Sequence, residues 1–220
     1  MKMKPILFNT DMVRAILEGR KTVTRRAVKP QPFAVKQDEN APCWCGHFVS
    51  ENGKVQVDKP PYRPGDILYV REVFFEHKDH FYYKADGKHE ALAKLGITFK
   101  WHPSIHMPRE AARIFLRVED VRVEKLQSIL PEDGCLGPSN IQKEGVNKPC
   151  TLCIHPDFDC REHIKSWTCD LVSEFVNLWD RTIKPAERAI YGWDANPWVW
   201  VIEFLRISRE EAEQNAKVKN

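Results

Sequence analysis

At 220 residues, with 42% hydrophobic and 30% charged positions, the chain has the make-up of an ordinary globular protein, and this excludes a disordered or fibrous one. A net charge of +3 is too small to mark a nucleic-acid binder by itself, but the basic residues are unevenly spread: Arg14, Arg20, Lys21, Arg25, Arg26 and Lys29 face one acid, Glu18, within a single short stretch. No apolar run approaches the roughly 18 residues that cross a bilayer, and the N-terminus lacks the apolar stretch of a secretory signal. The expected setting is therefore the cytoplasm, without a membrane partner, where seven cysteines are thiols or metal ligands before they are disulfides.

In chain order, KPILFN reads as a short apolar strand, and TDMVRAILEG carries helix signals. Asn9 or Thr10 can cap the first turn, Met12, Ile16 and Leu17 mark one face, and Gly19 suits the residue that ends a helix. KTVTRRAV alternates and is rich in β-branched residues, which predicts a strand leaving that helix. Prolines recur from Lys29 to Pro64 without clean periodicity, so this stretch reads as a loop or insertion.

A Pro-Gly turn then feeds a strand in RPGDILYVREVFF. Residues 76–100 are polar and mixed, with a short helix in KHEALAKLG, and read as a second insertion. RIFLRVEDVRVEKL has the clearest alternation, Ile114, Leu116 and Val118 followed by Val121 and Val123, with a phase change at Glu119–Asp120 that predicts a bulge or bend. HIKSWTCDLVSEFVNLWDRTI is the long helix, with Ile164, Trp167, Leu171, Phe175, Leu178 and Trp179 at helical spacing. PWVWVIEFLRI is a strongly apolar, central strand, and the polar tail from Ser208 reads as frayed. Well-separated strands with few helices predict an α+β, mainly β fold, a small and mostly antiparallel barrel with helices at its ends.

Four stretches together resemble the ASCH family of PUA-like barrels: ILEGRKTVTRR, RPGDILYVRE, the pair LQSI and IQKEGV around the end of the long strand, and the terminal WVWVIEF. The chain is similar in particular to larger phage and prophage members, whose W-x-PSIHMPR and YGWDANPWVWVIEF patterns stand here as Trp101 to Arg109 and Tyr191 to Phe204. The resemblance implies a single PUA-like domain over 1–207, a small mixed or antiparallel β-barrel with flanking helices, insertions at about 30–60 and 76–100, and a polar tail at 208–220. It also implies a cleft beside the Gly-Arg-Lys segment that works on RNA or nucleotides. Within the family, small N(4)-acetylcytidine amidohydrolases use a lysine, a threonine three residues on, and a glutamate in a helix after the long strand. Lys21, Thr24 and Glu144 fall on those positions.

Amide hydrolysis needs a nucleophile, a base for it and a proton donor for the leaving amine. A threonine hydroxyl requires an adjacent base, and lysine serves only when neutral, against an ordinary pKa of about 10.4. Burial and the charges of Arg20, Arg25 and Arg26 push that value down, while a nearby Glu144 pulls it up. In a regular strand Lys21 and Thr24 point to opposite faces, so they converge only if Gly19 to Lys21 belongs to a turn. Read without the resemblance, the same basic stretch is a solvated face that complements a helix end.

Arg20 and Arg26 are candidate anchors for the ligand; Arg26 could equally form a structural salt bridge with Glu72 or Glu203. Tyr69, Trp101 and Trp198 can stack on a base or fill a core. CTLCIHPDFDCREH, within a loop at 147–163, places Cys150, Cys153, Cys160 and His163 at spacings a structural zinc accepts, with His155 as an alternative ligand and CWCGH (Cys43, Cys45, His47) as a second contributor; unrelated loop thiols are the other reading. His102 and His106 read as structural histidines, with a catalytic or metal-binding role as the alternative. Catalysis in this reading needs no cofactor. The expected activity is removal of the acyl group from N(4)-acylated cytidine or a related acylated nucleoside, with a non-catalytic RNA- or nucleotide-binding module, or a ribonuclease, as alternatives.

Overall fold

The computed structural model describes residues 3–36, 46–49, 53, 55–87, 89–94, 96, 98, 100–130, 140–146 and 169–218. In chain order these form β1 (Lys4–Leu7), α1 (Thr10–Leu17), β2 (Val23–Ala27), β3 (Ala34–Lys36), β4 (Gly46–Val49), β5 (Val55–Asp58), β6 (Ile67–Arg71), β7 (Phe74–His77), β8 (His80–Tyr83), α2 (His89–Lys94), β9 (Phe115–Lys125), α3 (Asn140–Lys143), α4 (Asp170–Thr182), α5 (Arg188–Tyr191), β10 (Trp198–Ile207) and α6 (Arg209–Val218). The fold is mixed α+β with strands dominant. Among the described residues no helix is long and apolar enough to cross a membrane.

The principal sheet has the order β1-β6-β9-β10-β2. Its β1 runs parallel to β6, and β6–β9 and β10–β2 are antiparallel, so the sheet is mixed. Among the described residues it is open, with β1 and β2 as its edges, where a closed barrel is expected from the sequence. At the start of β2 the outer flank is taken by another segment: Thr22 N–H donates to the Lys143 carbonyl at 2.9 Å, and Lys21 forms an antiparallel bridge with Glu144. A strand edge satisfied in this way has no unpaired groups there to offer a closing strand.

Two compact units share these strands. One comprises Met1–Gly19, Gly65–Glu119 and Phe204–Asn220, the other Arg20–Pro64 and Asp120–Glu203. The boundary in β9 falls at the phase change read from the sequence: Ile114, Leu116 and Val118 are buried, then Val121, while the strand itself continues unbroken.

In the first unit α1 is capped by Asn9, whose side chain accepts from the Met12 N–H at 2.8 Å, and the chain leaves it through Gly19 at φ +74°. Its buried face is Val13, Ala15 and Ile16, so the apolar stripe lies one position away from the expected Met12. The Pro64-Gly65 turn, with Gly65 at φ +81°, delivers Asp66 into the interior, where Lys4 Nζ donates to it at 2.6 Å. The expected second insertion contains the β7–β8 hairpin and α2. The tail is a helix rather than frayed: Ser208 Oγ accepts from the Glu211 N–H at 3.0 Å, and Ala212 is fully buried against Ile207 and Phe115. The pattern Ser208-x-x-Glu211 is a capping-box signature that the polar composition hides.

In the second unit the stretch after Lys29 forms the antiparallel sheet β3-β4-β5, whose strands of three or four residues are too short to show a period. The core is built on α4, which buries Leu171, Val172, Phe175 and Trp179 against Val199 and Val201 of β10 and against Leu126, Ile129 and Ile141. Ile164 and Trp167, expected to begin this helix, lie outside the described residues. Trp179 Nε1 donates to the Tyr191 carbonyl at 2.8 Å, and Phe175 meets Trp193 edge-on. Burial of a side chain such as Ile141 contributes about 2 kcal/mol, enough to pin the short α3 from which the next residue of interest, Glu144, emerges.

Candidate active site

Lys21 precedes β2 and is completely buried. Its ammonium donates to the Val23 carbonyl at 2.7 Å, to the Glu144 carbonyl at 2.9 Å and to Glu144 Oε2 at 2.6 Å. Arg25 Nη1 donates to the other carboxylate oxygen, Glu144 Oε1, at 2.8 Å, and Arg20 Nη1 donates to the Gly145 carbonyl at 2.7 Å. Arg20, Lys21 and Arg25, three basic residues of the ILEGRKTVTRR stretch, therefore close on one short turn after α3. Gly145, at φ +89°, lets that turn reverse, while Ile141 and Val146 hold it in the core on either side.

Three acceptors within 2.9 Å match the three N–H bonds of an ammonium. The same heavy-atom positions also satisfy the state in which the proton has moved to Glu144: the carboxyl then donates to the amine, and the amine donates to the two carbonyls. Burial pulls the Lys21 pKa below its usual value, against the raising effect of Glu144, and the charges of Arg26 and Arg25 act in the same direction as burial. Arg26 is likewise held below the usual arginine value, first by burial, with Tyr62 and Glu144 opposing.

Alternation along β2 puts Val23, Arg25 and Ala27 on one face and Thr24 and Arg26 on the other. Val23 and Ala27 belong to the apolar core, whereas Thr24, paired with Ile202, is buried on the opposite face. Lys21 lies just before the strand, and its Nζ meets the Glu144 carboxylate that Arg25 also binds, so its amine is on the Arg25 side of β2 while Thr24 faces the other way.

Of the remaining candidates, Arg20 is engaged with Gly145, and Arg26 feels Tyr62 and Glu144. The salt-bridge partners considered for Arg26 are otherwise occupied, Glu72 by Arg113 and Glu203 by Arg122. Tyr69 and Trp101 lie in the first unit and not in the unit that holds Lys21 and Glu144. Tyr69 is 7% exposed in an apolar cluster with Ile67, Phe74 and Phe115, and Trp101 meets the Phe75 ring edge-on at 5.2 Å. Trp198 lies under Lys125 Nζ at 4.7 Å. His102 serves the backbone, its N–H donating to the Phe74 carbonyl at 2.7 Å, and both His102 and His106 are exposed.

Cys150, Cys153, Cys160 and His163 lie outside the described residues, as do His155, Cys43 and Cys45 and the side chain of His47. Among the described residues no three His, Cys, Asp or Glu side chains are grouped to hold a metal ion.

Sequence reading missed Arg25 as a site residue, and with it Glu124, whose Oε2 lies 3.6 Å from Arg25 Nη2. The signal was present: a charged residue two positions after Val23 must share the core-facing side of the strand, where it survives only with partners. No family model, no curated protein and no solved structure matches the chain.

Proposed function

We propose that this chain is an ASCH-type, PUA-like amidohydrolase that removes the acyl group from N(4)-acylated cytidine or a related acylated nucleoside. The observation that supports it best is the buried Lys21–Glu144 pair at 2.6 Å, located at the start of the strand that carries Thr24. Burial and the neighbouring arginines lower the lysine's pKa and favour its neutral amine, and the carboxylate in contact can take the proton that it gives up.

In this reading Lys21 passes a proton to Glu144 and becomes neutral. Its amine then leaves Glu144, swings past the start of β2 to the Thr24 side, and takes the hydroxyl proton of Thr24 as Oγ1 bonds to the acyl carbon. Collapse of the tetrahedral adduct breaks the C–N bond, and the Lys21 ammonium returns a proton to the exocyclic amine of cytosine. Water then hydrolyses the acyl-threonine, releasing the carboxylic acid and restoring Thr24. Arg26, on the same face as Thr24, holds the ligand.

The saturated environment of Lys21 favours a second reading, in which the pair is a structural clamp and the basic stretch binds RNA or a nucleotide without turnover. Incubating the protein with N(4)-acetylcytidine and separating products by chromatography tests the two. The hydrolase yields cytidine and acetate, and Lys21→Ala and Thr24→Ala abolish the yield while the fold persists. The binder yields neither, and its RNA affinity falls steeply with salt.

A further inference from the structure

Of the three rings that the sequence offers for stacking on a base, Tyr69 is buried in an apolar cluster and Trp101 lies in the first unit, whereas Trp198 is partly exposed in the unit that holds Thr24. Strand register sets the face of that ring. Ile202 stands opposite Thr24 and Trp200 opposite Arg26, and the Trp198 carbonyl accepts from the Val28 N–H at 3.0 Å. Alternation therefore puts Trp198 on the Thr24 and Arg26 face, about 13 Å along β10 from Ile202. Exposure grows in that direction: Ile202 is 0% and Trp200 5% exposed, while Trp198 and Arg26 are partly open. A chain whose base reaches Thr24 from this end runs past Arg26 and Trp198.

Gln31 clamps the backbone that carries the ring, its Oε1 accepting from the Trp198 N–H at 2.7 Å and its Nε2 donating to the Trp198 carbonyl at 3.0 Å, so little backbone freedom is lost on binding. Lys125 Nζ lies 4.7 Å over the indole. A cation over a partly exposed ring is held more weakly than a stacked base, so a base displaces the ammonium, which then stands beside the nucleotide's phosphate. Lys29, 4.3 Å over the Tyr191 ring, is shared with Glu187 at 2.8 Å, so the phosphate falls to Lys125. The charge of the face suits a polyanion: Arg26 and Lys125 lie along the path, while Asp120, Glu124 and Glu203 gather around Arg122 on the opposite face.

We propose that Trp198 and Lys125 form a nucleotide subsite beside Thr24, Trp198 stacking on an unpaired base and Lys125 meeting its phosphate, and that the substrate is a cytidine within single-stranded RNA. This rests on the hydrolase reading for the ligand at Thr24 and adds to it the choice of a polymer over the free nucleoside. A duplex does not suit the subsite, because its bases are stacked on one another and offer no face to a ring.

The test is a ligand comparison on the full chain: a labelled short single-stranded RNA containing one cytidine is titrated by fluorescence anisotropy and competed with free cytidine, and turnover of N(4)-acetylcytidine by the native protein is measured separately. The native protein is expected to bind the RNA about tenfold or more tightly than cytidine, and Trp198→Ala to lose about tenfold of that affinity while Trp198→Phe keeps most of it. Lys125→Gln should lower the slope of log affinity against log salt by about 0.7, the share of one phosphate on a single strand. Equal affinities of the native protein for RNA and cytidine overturn the proposal without need of any variant, so a failure of Trp198→Ala to fold does not shield it. RNA affinity unchanged in Trp198→Ala, or a salt slope unchanged in Lys125→Gln, also overturns it, and turnover in any of these cases leaves the hydrolase reading standing. RNA binding that depends on Trp198 without turnover keeps the subsite and removes the hydrolase. Absence of both binding and turnover removes the two together.

Discussion

Lys21 and Glu144, 123 positions apart in the chain, are joined three times, by a 2.6 Å contact between their charged ends, by a 2.9 Å bond from the Lys21 ammonium to the Glu144 carbonyl, and by an antiparallel bridge between their backbones. These links make the pair both a site and a fastening, because the bridge sets the approach of the side chains and the buried charges hold the bridge. Replacing Lys21 by Met strands Glu144 in the interior with Arg25 as its remaining strong partner. Loss of one member of a buried pair is expected to lower stability by about 3–5 kcal/mol, read as an earlier midpoint in urea denaturation. Combining Lys21→Met with Glu144→Leu should recover little of that loss, since Glu144 is also the hydrogen-bonded carboxylate of the buried Arg25, whose charge is then left with Glu124 at 3.6 Å. Full recovery in the double variant would show that Arg25 does not depend on Glu144.

The lowered pKa of Lys21 makes stability depend on pH with a defined sign. Above 10.5 the lysine is neutral in both folded and unfolded chains. Between that value and its lowered folded pKa, the unfolded chain keeps a proton that the folded chain releases. The unfolded state therefore binds more protons, and stability rises with pH across this window and is lost as pH falls through the folded pKa. Denaturation midpoints measured from neutral pH to 10.5 should show this rise in the native protein, and Lys21→Met should flatten it. A native slope unchanged by the substitution would assign the pH dependence to other groups.

Much of this architecture is legible in the sequence where local rules act alone. The cap at Asn9, the exit through Gly19 and the register of Leu171, Phe175 and Trp179 follow from helix chemistry, and the phase change at Glu119–Asp120 reappears in the burial of Val118 and Val121. The pairing of Lys21 and Thr22 with Glu144 and Lys143 beside the start of β2 is not legible, because it joins residues more than a hundred positions apart. Arg25 is hidden for a related reason. Its neighbours in sequence are basic and suggest a solvated stripe, while its partners, Glu124 and Glu144, are supplied by distant elements. Tyr69 shows the converse: its sequence context leaves stacking on a base and a place in the core both open, and it packs with Ile67 and Phe115 in an apolar cluster.

The first unit has its own buried ionic centre. Glu72 takes both side-on donors of Arg113, and Arg113 also contacts Asp86 at 2.7 Å and lies 3.9 Å over the Tyr83 ring, so one guanidinium ties the end of β6 to the β7–β8 hairpin. Burial raises the Glu72 pKa above 4.5, against the lowering effect of Arg113. For a raised carboxylate the sign is the reverse of that for Lys21: its contribution is fully present below 4.5 and is lost as pH rises through the folded value. Glu72→Gln should flatten the stability profile just above pH 4.5. Arg113→Met leaves the carboxylate unpaired and should cost about 3–5 kcal/mol at neutral pH, by urea denaturation. A neutral effect of Arg113→Met would mean that Glu72 is protonated in the native protein.

The helix α6 begins at a cap supplied by Ser208. Ser208 Oγ receives the Glu211 N–H, and the Ser208 carbonyl receives the Ala212 N–H at 3.0 Å, so the first turn is organised before Ala212 packs into the core of its unit. Ser208→Ala is expected to cost about 1 kcal/mol, the ordinary value of a lost N-cap, and to raise hydrogen exchange in α6 first. Ala212→Asp places a charge among Met3, Phe115 and Ile207 without a partner and should release the helix altogether, with a loss of about 3 kcal/mol or more. Hydrogen exchange by mass spectrometry separates the two: local loss of protection for Ser208→Ala, loss across α6 and its apolar partners for Ala212→Asp. If neither substitution changes protection in α6, the helix contributes nothing to the core of its unit, and its amphipathic face must be explained without Ala212.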